Sequence, residues 1–234
     1  MKNVGKKLPL SFETLLLSFA LMLFIPGIFQ GSYGGYLSRG LFTLILLSSL
    51  YIVGHNRKDL TIGVLLAAPA MLMNWASTWF LDLKMQMLAY SLFQVVFLIY
   101  IVMKISGHLA AAKTVNAEII YAAICLYLLL GIAWGMIYFG IVMVDPQAIN
   151  LAVSTEVVDR ESIALVLREV LYFSYVTQTT LGYGEITPAS ELARAFVIAQ
   201  SLVGQIFIAV IVARLVGLQI AFGINENENE KQQD

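Results

Sequence analysis

The sequence predicts an all-α membrane protein with six transmembrane helices and a further, shorter helix that enters the membrane without crossing it. Of its 234 residues, 59% are hydrophobic and only 12% are charged, and the mean hydropathy is +0.82. A soluble domain of this size could not bury so much apolar surface, so lipid is expected to be its solvent. The net charge of −1 argues against a nucleic-acid partner.

Six apolar stretches are long enough to cross a hydrocarbon core of about 30 Å. They lie near residues 8–29, 38–54, 60–78, 85–103, 116–143 and 191–219. Another apolar stretch, about 163–178, is shorter and is interrupted by Arg168 and Glu169. A segment of this kind is tolerated at membrane depth only where it is buried in protein or lines a water-filled cavity, so we predict a re-entrant helix.

The distribution of basic residues predicts the orientation of the chain. Lys2, Lys6 and Lys7 precede an apolar run that is long enough to span, and no small-residue cleavage site stands out, so a retained first helix is expected. With the N-terminus in the cytoplasm, nine lysines and arginines lie inside and five outside. This predicts an integral protein of the plasma (inner) membrane with both termini cytoplasmic. The re-entrant helix then enters from the outer side.

Three regions follow from these patterns. Residues 1–113 hold the first four spans, and residues 114–220 hold the last two spans with the re-entrant helix between them. Residues 221–234 form an acidic tail of low complexity, which we predict to be cytoplasmic and disordered.

The segment between the re-entrant helix and the last span is suited to binding a cation through its backbone. It reads Thr179-Thr180-Leu181-Gly182-Tyr183-Gly184. Successive carbonyls can point to one side only if the chain passes through alternating, partly left-handed conformations, which glycine adopts without a Cβ clash. The two glycines therefore suit a strand whose carbonyl oxygens replace the hydration shell of an ion. The hydroxyl of Thr180 could add a further oxygen at the inner end.

The longer segment Thr177 to Pro188, TQTTLGYGEITP, resembles the pore loop of the potassium channel family. The region from about 116 to 219 resembles that family's outer helix, pore helix, selectivity filter and inner helix. The resemblance implies K⁺ coordination at residues 180–183 (Thr180, Leu181, Gly182 and Tyr183), with Gly184 completing the filter. Because one strand cannot surround an ion, it also implies a homotetramer.

Two residues depart from the commonest pattern of that family. Leu181 stands where valine is usual, which leaves the carbonyl in place. Glu185 stands where aspartate is usual, and its extra methylene is expected to alter a hydrogen bond behind the filter, to Tyr172. Selectivity is expected to survive both changes, whereas gating at the filter is expected to be more sensitive to the glutamate at position 185.

Other residues are predicted to support the filter. Tyr183 is expected to point away from the axis and to wedge against Tyr172, Phe173 and Tyr175 of the re-entrant helix. Thr179 and Glu185, which flank the filter, belong to the same support.

The last span carries the residues predicted to gate. Gly204 resembles the family's hinge glycine, although a close helix–helix contact is the alternative interpretation. Phe207, Ile208 and Ile211 are predicted to line the lower pore. In the fifth span, Gly131 and Gly135 form a small-xxx-small pair, which is typical of close packing against another helix.

The leading hypothesis is a homotetrameric, potassium-selective channel that conducts K⁺ passively, with membrane lipids and K⁺ as its other partners and no cofactor. We do not expect an enzyme, because the sequence contains no evident metal-ligand cluster, nucleotide loop or nucleophile–base pair. Strong voltage gating is not expected either, because the fourth span, Met85 to Met103, contains no lysine or arginine. A less selective cation channel and a K⁺ transporter subunit remain alternatives, although such transporters usually repeat the pore loop within one chain.

Overall fold

The computed structural model describes residues 9–28, 32–54, 56–75, 82–152 and 160–231. Within these ranges the chain forms seven helices and one two-stranded antiparallel sheet. In chain order they are α1 (Pro9–Ile28), α2 (Ser32–Val53), α3 (Arg57–Trp75), α4 (Leu83–Ala111), α5 (Ala117–Val144), β1 (Ile149–Asn150), α6 (Arg160–Gln178), β2 (Thr187–Pro188) and α7 (Glu191–Lys231). The basic residues Lys2, Lys6 and Lys7 and the end of the tail, 232–234, lie outside the described ranges.

Each stretch that the sequence marked as apolar and helical coincides with a helix. In the described part of the chain, three helical segments are long and apolar enough to cross a membrane: Leu83–Ala111, Ala117–Val144 and Glu191–Ile220. α1 and α2 contain shorter apolar segments, Phe12–Phe24 and Arg39–Val53. The structure therefore supports an integral membrane protein, and six crossings remain a prediction.

The acidic tail differs from its prediction. Disorder was expected from residue 221, whereas α7 continues as helix to Lys231. Once a helix has formed, each further residue adds a backbone hydrogen bond at little entropic cost. Glutamate and lysine are also good helix formers, which offsets the weaker propensity of the interleaved asparagines.

Helix α4 packs along α5 of the same chain. Its buried side includes Phe97, Ile101 and Ile105, whose spacing of four places them on one face of the helix. Near the other end of the pair, a Cβ on Gly140 would lie 3.1 Å from Ser91 Oγ. The connection of residues 112–116 can span at most about 18 Å, which favours this pairing of neighbours in sequence.

α1 also packs on α5. Sγ of the buried Cys125 lies 3.6 Å from the Phe12 carbonyl oxygen. The first part of the chain is therefore attached directly to the helix that the sequence places on the outside of the pore.

Polar contacts join the helices at one end of the molecule. Lys104 Nζ lies 2.6 Å from Asp59 Oδ1, which links α4 to α3. Arg214 of α7 donates to the carbonyl oxygens of Ala110 and Ala112 at 2.6 and 3.2 Å. These two carbonyls lie at the C-terminal end of α4, where the helix dipole favours a cation. The contacts therefore attach the last helix to the end of the fourth.

Candidate functional site

Helix α6 ends in a left-handed turn, from which the TLGYG segment (residues 180–184) departs. The Leu181 N–H bonds to the Val176 carbonyl at 3.0 Å, and the Thr180 N–H bonds to the Thr177 carbonyl at 3.0 Å. This pair of bonds around a left-handed residue is a Schellman motif. The left-handed residue is Thr180, with φ of 57°, at a position where glycine is usual. A β-branched residue is strained there, so the surrounding contacts must hold it.

Left-handed conformations recur at every second residue of the TLGYG segment. Gly182 has φ of 57° and Gly184 has φ of 93°, following Thr180. Between them, neither Leu181 nor Tyr183 has a positive φ. The two glycines therefore have the left-handed conformation that was expected of them. Thr180 has it too, which was not expected.

The TLGYG segment is open to its surroundings within one chain. Leu181 is 55% exposed and Tyr183 is 69% exposed. A Cβ on Gly182 or on Gly184 would meet no heavy atom of the described chain within 4 Å. The segment is thus a strand with free space around most of its length.

The C-terminal end of this segment is anchored by a small sheet. Asn150 of β1 pairs with Thr187 of β2, and the Asn150 side-chain amide donates to Thr187 Oγ1 at 3.1 Å. The Ala189 N–H bonds to the Ala148 carbonyl at 2.8 Å. The chain that leaves the TLGYG segment is therefore tied to the chain that leaves α5. Strands of two residues have no usable periodicity, so no pattern in the sequence predicts this anchor.

The predicted aromatic contacts of Tyr183 are only partly formed. Phe173 is buried, with its ring centroid 5.2 Å from that of Tyr138 on α5. The Tyr175 hydroxyl donates to the Leu128 carbonyl at 2.8 Å, also on α5. Within one chain Phe173 and Tyr175 therefore contact α5, and the expectation that they wedge against Tyr183 stays a prediction. Both rings are needed to fill the interface between α6 and α5.

The remaining aromatic residue, Tyr172, does lie beside the TLGYG segment. A hydrogen bond to the Glu185 carboxylate raises the pKa of the Tyr172 phenol to about 12, and the neighbouring Tyr183 acts in the same direction. This is the partner that the sequence suggested for Glu185. Thr179, also predicted as support, instead donates its hydroxyl back to the Tyr175 carbonyl at 2.7 Å.

The glycine pair of α5 explains how α6 comes so close. A Cβ on Gly131 would overlap the ring of Tyr175, and one on Gly135 would lie 2.7 Å from Leu171 Cδ2. The prediction of close packing at these two glycines is confirmed. Their lack of side chains lets α6 bury its aromatic face against α5.

A buried hydrogen-bond network behind the TLGYG segment was missed in the sequence. The Tyr138 hydroxyl donates to Gln200 Oε1 at 2.7 Å. Gln200 Nε2 donates to Ser174 Oγ at 2.8 Å and to the Ser174 carbonyl at 2.9 Å. The Ser174 hydroxyl in turn donates to the Gly131 carbonyl at 2.7 Å. Each neutral bond of this kind contributes about 1 kcal/mol, and leaving one partner unsatisfied costs about 1–3 kcal/mol.

A second pair of bonds fastens the last residue of α6 to α5. Gln178 Nε2 donates to the Tyr127 carbonyl at 2.7 Å, and the Tyr127 hydroxyl donates to the Gln178 carbonyl at 3.2 Å. The second bond satisfies a carbonyl at the helix end. One signal in the sequence could have indicated the buried polar contacts between α5, α6 and α7. Gln200 is a glutamine inside an apolar span, and such residues often form hydrogen bonds between helices in membranes.

Gly204 lies against the end of α6. α7 is helical throughout its length, including this residue, and a Cβ here would lie 2.6 Å from the Gln178 carbonyl oxygen. The alternative interpretation, a close helix–helix contact, is therefore confirmed. The role of Gly204 as a hinge stays a prediction.

The residues predicted to line the lower pore divide between two sides of α7. Phe207 faces α5 of its own chain, with its ring centroid 5.6 Å from that of Tyr127, and Ile211 is half-buried against the hydrophobic core. The side that faces Thr180 is marked by Gln205, whose Nε2 lies 3.4 Å from Thr180 Oγ1. Ile208, three residues further on, is 42% exposed and lies toward that side. Phe207 thus contacts α5 within its own chain, and lining of the lower pore by Phe207, Ile208 and Ile211 stays a prediction.

Comparison with known protein families agrees with the position of this site. A family model described as Ion channel matches residues 125–218. The match runs from within α5, through α6 and the TLGYG segment, to α7, and covers less than half of the chain. No curated protein matches the chain. The matched region supports an ion channel, a membrane protein that is not an enzyme.

Proposed function

We propose that the chain is one subunit of a potassium-selective channel, in which four copies surround a common axis and K⁺ passes passively down its gradient. The observation that carries the proposal is the left-handed conformation at Thr180, Gly182 and Gly184. Alternating φ of this kind turns successive carbonyls toward one side of the strand. A row of such oxygens can take the place of the water around K⁺.

The exposure of the TLGYG segment favours an assembly of several copies. One strand can surround no ion, and the side of it that would face the axis is uncovered in a single chain. α7 likewise presents apolar side chains such as Ile198, Leu202 and Ile206 that have little cover from their own chain. Neighbouring copies and lipid would bury them. The number four comes from the resemblance to the potassium channel family.

The end of α6 supplies a favourable field for a cation. Its last carbonyls lie next to Thr180, and a helix C-terminus carries about half a negative charge. In the proposed assembly four such ends would converge below the filter. The proposal includes the six-span topology with cytoplasmic termini in the plasma (inner) membrane, which rests on the hydropathy and on the distribution of basic residues.

The proposed channel is not strongly voltage-gated. Between Met85 and Met103, α4 carries no lysine or arginine. Moving one charge through the field gives only about 2.3 kcal/mol per 100 mV, so steep gating needs several such charges in each subunit. A shallow dependence of open probability on voltage is therefore expected, and a steep one would contradict this part.

The purified protein in planar bilayers tests the function. With opposed K⁺ and Na⁺ gradients, the reversal potential is expected to approach the equilibrium potential of K⁺. A reversal potential that is indifferent to K⁺ contradicts selectivity. Equal permeability to K⁺ and Na⁺ would instead indicate a less selective cation channel, and K⁺ flux without unitary current steps would indicate a transporter.

Gly182→Ala tests the site itself. A side chain at φ of 57° is disfavoured by about 1–2 kcal/mol, so the strand is expected to lose its alternation and the channel its current or its selectivity. Gly107→Ala, in a helix where the new Cβ meets nothing within 4 Å, is the matched control. Unchanged K⁺ selectivity in Gly182→Ala would refute the assignment of the filter.

A further inference from the structure

We propose that Gln200 is a positioning residue that fixes the C-terminal turn of α6, and through it the direction in which the TLGYG segment leaves the helix. The inference rests on the proposed function, because it concerns how the proposed filter keeps its geometry. Gln200 is fully buried, within the apolar first half of α7. It is also at the meeting point of α5, α6 and α7, through Tyr138 and Ser174.

The partners of Gln200 allow only one orientation of its amide. The Ser174 carbonyl can only accept, so the amide nitrogen must face α6. The amide oxygen then faces α5, where the Tyr138 hydroxyl donates to it. A side chain held at both ends in this way cannot rotate without breaking a buried bond. Gln200 therefore behaves as a fixed spacer between α5 and α6.

The point at which Gln200 holds α6 lies in its last turn. Ser174 precedes Gln178, the final residue of the helix, by four positions, so the two residues bound the last turn of α6. The amide nitrogen of Gln200 also lies 3.5 Å from Gln178 Oε1. Thr180 lies two residues after Gln178 and is held in a left-handed conformation that its side chain disfavours. The turn needs external support to keep this conformation, and the Gln200 network is one source of it.

A merely stabilising role and a positioning role make different predictions. Gln200→Met fills nearly the same volume, but it leaves the buried Tyr138 hydroxyl without its acceptor. Tyr138→Phe in the same chain removes that stranded hydroxyl, and replacing both partners by apolar groups is nearly neutral for stability. The double variant therefore restores stability without restoring the bonds to Ser174.

The experiment measures two quantities for each variant: the thermal stability of the assembled protein in detergent, and the K⁺ over Na⁺ permeability ratio in bilayers. We expect Gln200→Met to lower both. We expect the double variant Tyr138→Phe/Gln200→Met to regain stability while its permeability ratio stays about fivefold or more below wild type. Gln219→Met makes the same chemical change at an exposed position of α7 and should alter neither.

Recovery of selectivity together with stability in the double variant would overturn the inference, because Gln200 would then only stabilise the fold. If Gln200→Met does not assemble, Ser174→Ala decides, since it removes one hydroxyl that Gln200 contacts. A K⁺ over Na⁺ permeability ratio equal to that of the wild type, in both Ser174→Ala and the double variant, would also overturn the inference. A wild-type protein that fails to select K⁺ would refute the proposed function itself and remove the inference with it, which is a distinct outcome.

Discussion

Replacing Gly204 by alanine is predicted to disturb the end of α6 directly, because the new methyl group would meet a backbone atom. The Cβ would lie 2.6 Å from the Gln178 carbonyl oxygen and 3.1 Å from Gln178 Cγ. Carbon and oxygen atoms in weak contact normally stay about 3.3 Å apart or more. The Cβ and the Gln178 carbonyl oxygen, 2.6 Å apart without relaxation, must reach about 3.3 Å, so α6 and α7 must separate by about 0.7 Å at this point.

The size of the effect follows from two opposing terms. Overpacking a tight contact costs about 1–3 kcal/mol. Alanine is favoured over glycine inside a helix by about 1 kcal/mol, which offsets part of this cost. A net destabilisation of up to about 2 kcal/mol is expected. Gln178 is the residue two positions before Thr180, so the shift should also reach the TLGYG segment.

The assay combines thermal unfolding in detergent with the K⁺ over Na⁺ permeability ratio in bilayers. Gly217→Ala is the matched control, since it lies on the same helix and a Cβ there meets nothing within 4 Å. The control should be slightly more stable than wild type and equally selective. Gly204→Ala should be less stable than the control and less selective.

The outcome also separates the two interpretations of Gly204. If Gly204 acts only as a hinge, alanine should change the open probability and leave the selectivity intact. If Gly204→Ala is as stable as Gly217→Ala and fully selective, the close contact with Gln178 does not control the site and the reasoning from this distance is refuted.

Gly131→Ala is expected to destabilise the protein by up to about 2 kcal/mol, because its Cβ would overlap the ring of Tyr175, which a hydrogen bond holds in place, while alanine recovers about 1 kcal/mol of helix propensity. Gly107→Ala, with open space around it, should not lower the melting temperature, and equal melting temperatures of the two variants would contradict this. Tyr172→Phe removes the donor of one hydrogen bond and Glu185→Ala removes its acceptor, so each is expected to change the rate of inactivation during sustained opening. In a double-mutant cycle the two changes should be far from additive, and strict additivity of their effects on that rate would show that the bond has no part in it.

Much of the pore region could be predicted because its signals are local. The apolar lengths predicted the helices, and the interruption at Arg168 and Glu169 distinguished α6 from them. Gly182 and Gly184 predicted their own backbone conformation, because only the absence of a Cβ makes that conformation easy. Thr180 could not be predicted in the same way, since its left-handed φ is imposed by the end of α6 and not by its side chain.

The orientation of side chains on α6 and α7 could not be read from these signals. α7 is apolar on more than one side, so no polar face indicates which side meets α5, and on α6 the aromatic residues Tyr172, Phe173 and Tyr175 are too close in sequence for a pattern to separate them. Phe173 and Tyr175 were therefore predicted to contact Tyr183, and Phe207 to line the lower pore, whereas within one chain all three pack on α5. In a membrane, apolar periodicity does not distinguish contact with lipid from contact with protein.

By itself the sequence determined the class of the molecule, the positions of its helices and the left-handed backbone at Gly182 and Gly184, because hydropathy, length and glycine act on residues close together in the chain. The tertiary structure decided which groups hold that backbone in place. Tyr138, Ser174 and Gln200 belong to three helices and are far apart in sequence, and their hydrogen bonds exist only once those helices have packed. The close approach that this packing needs is set by missing side chains at Gly131 and Gly204, whose effect depends on what lies opposite them.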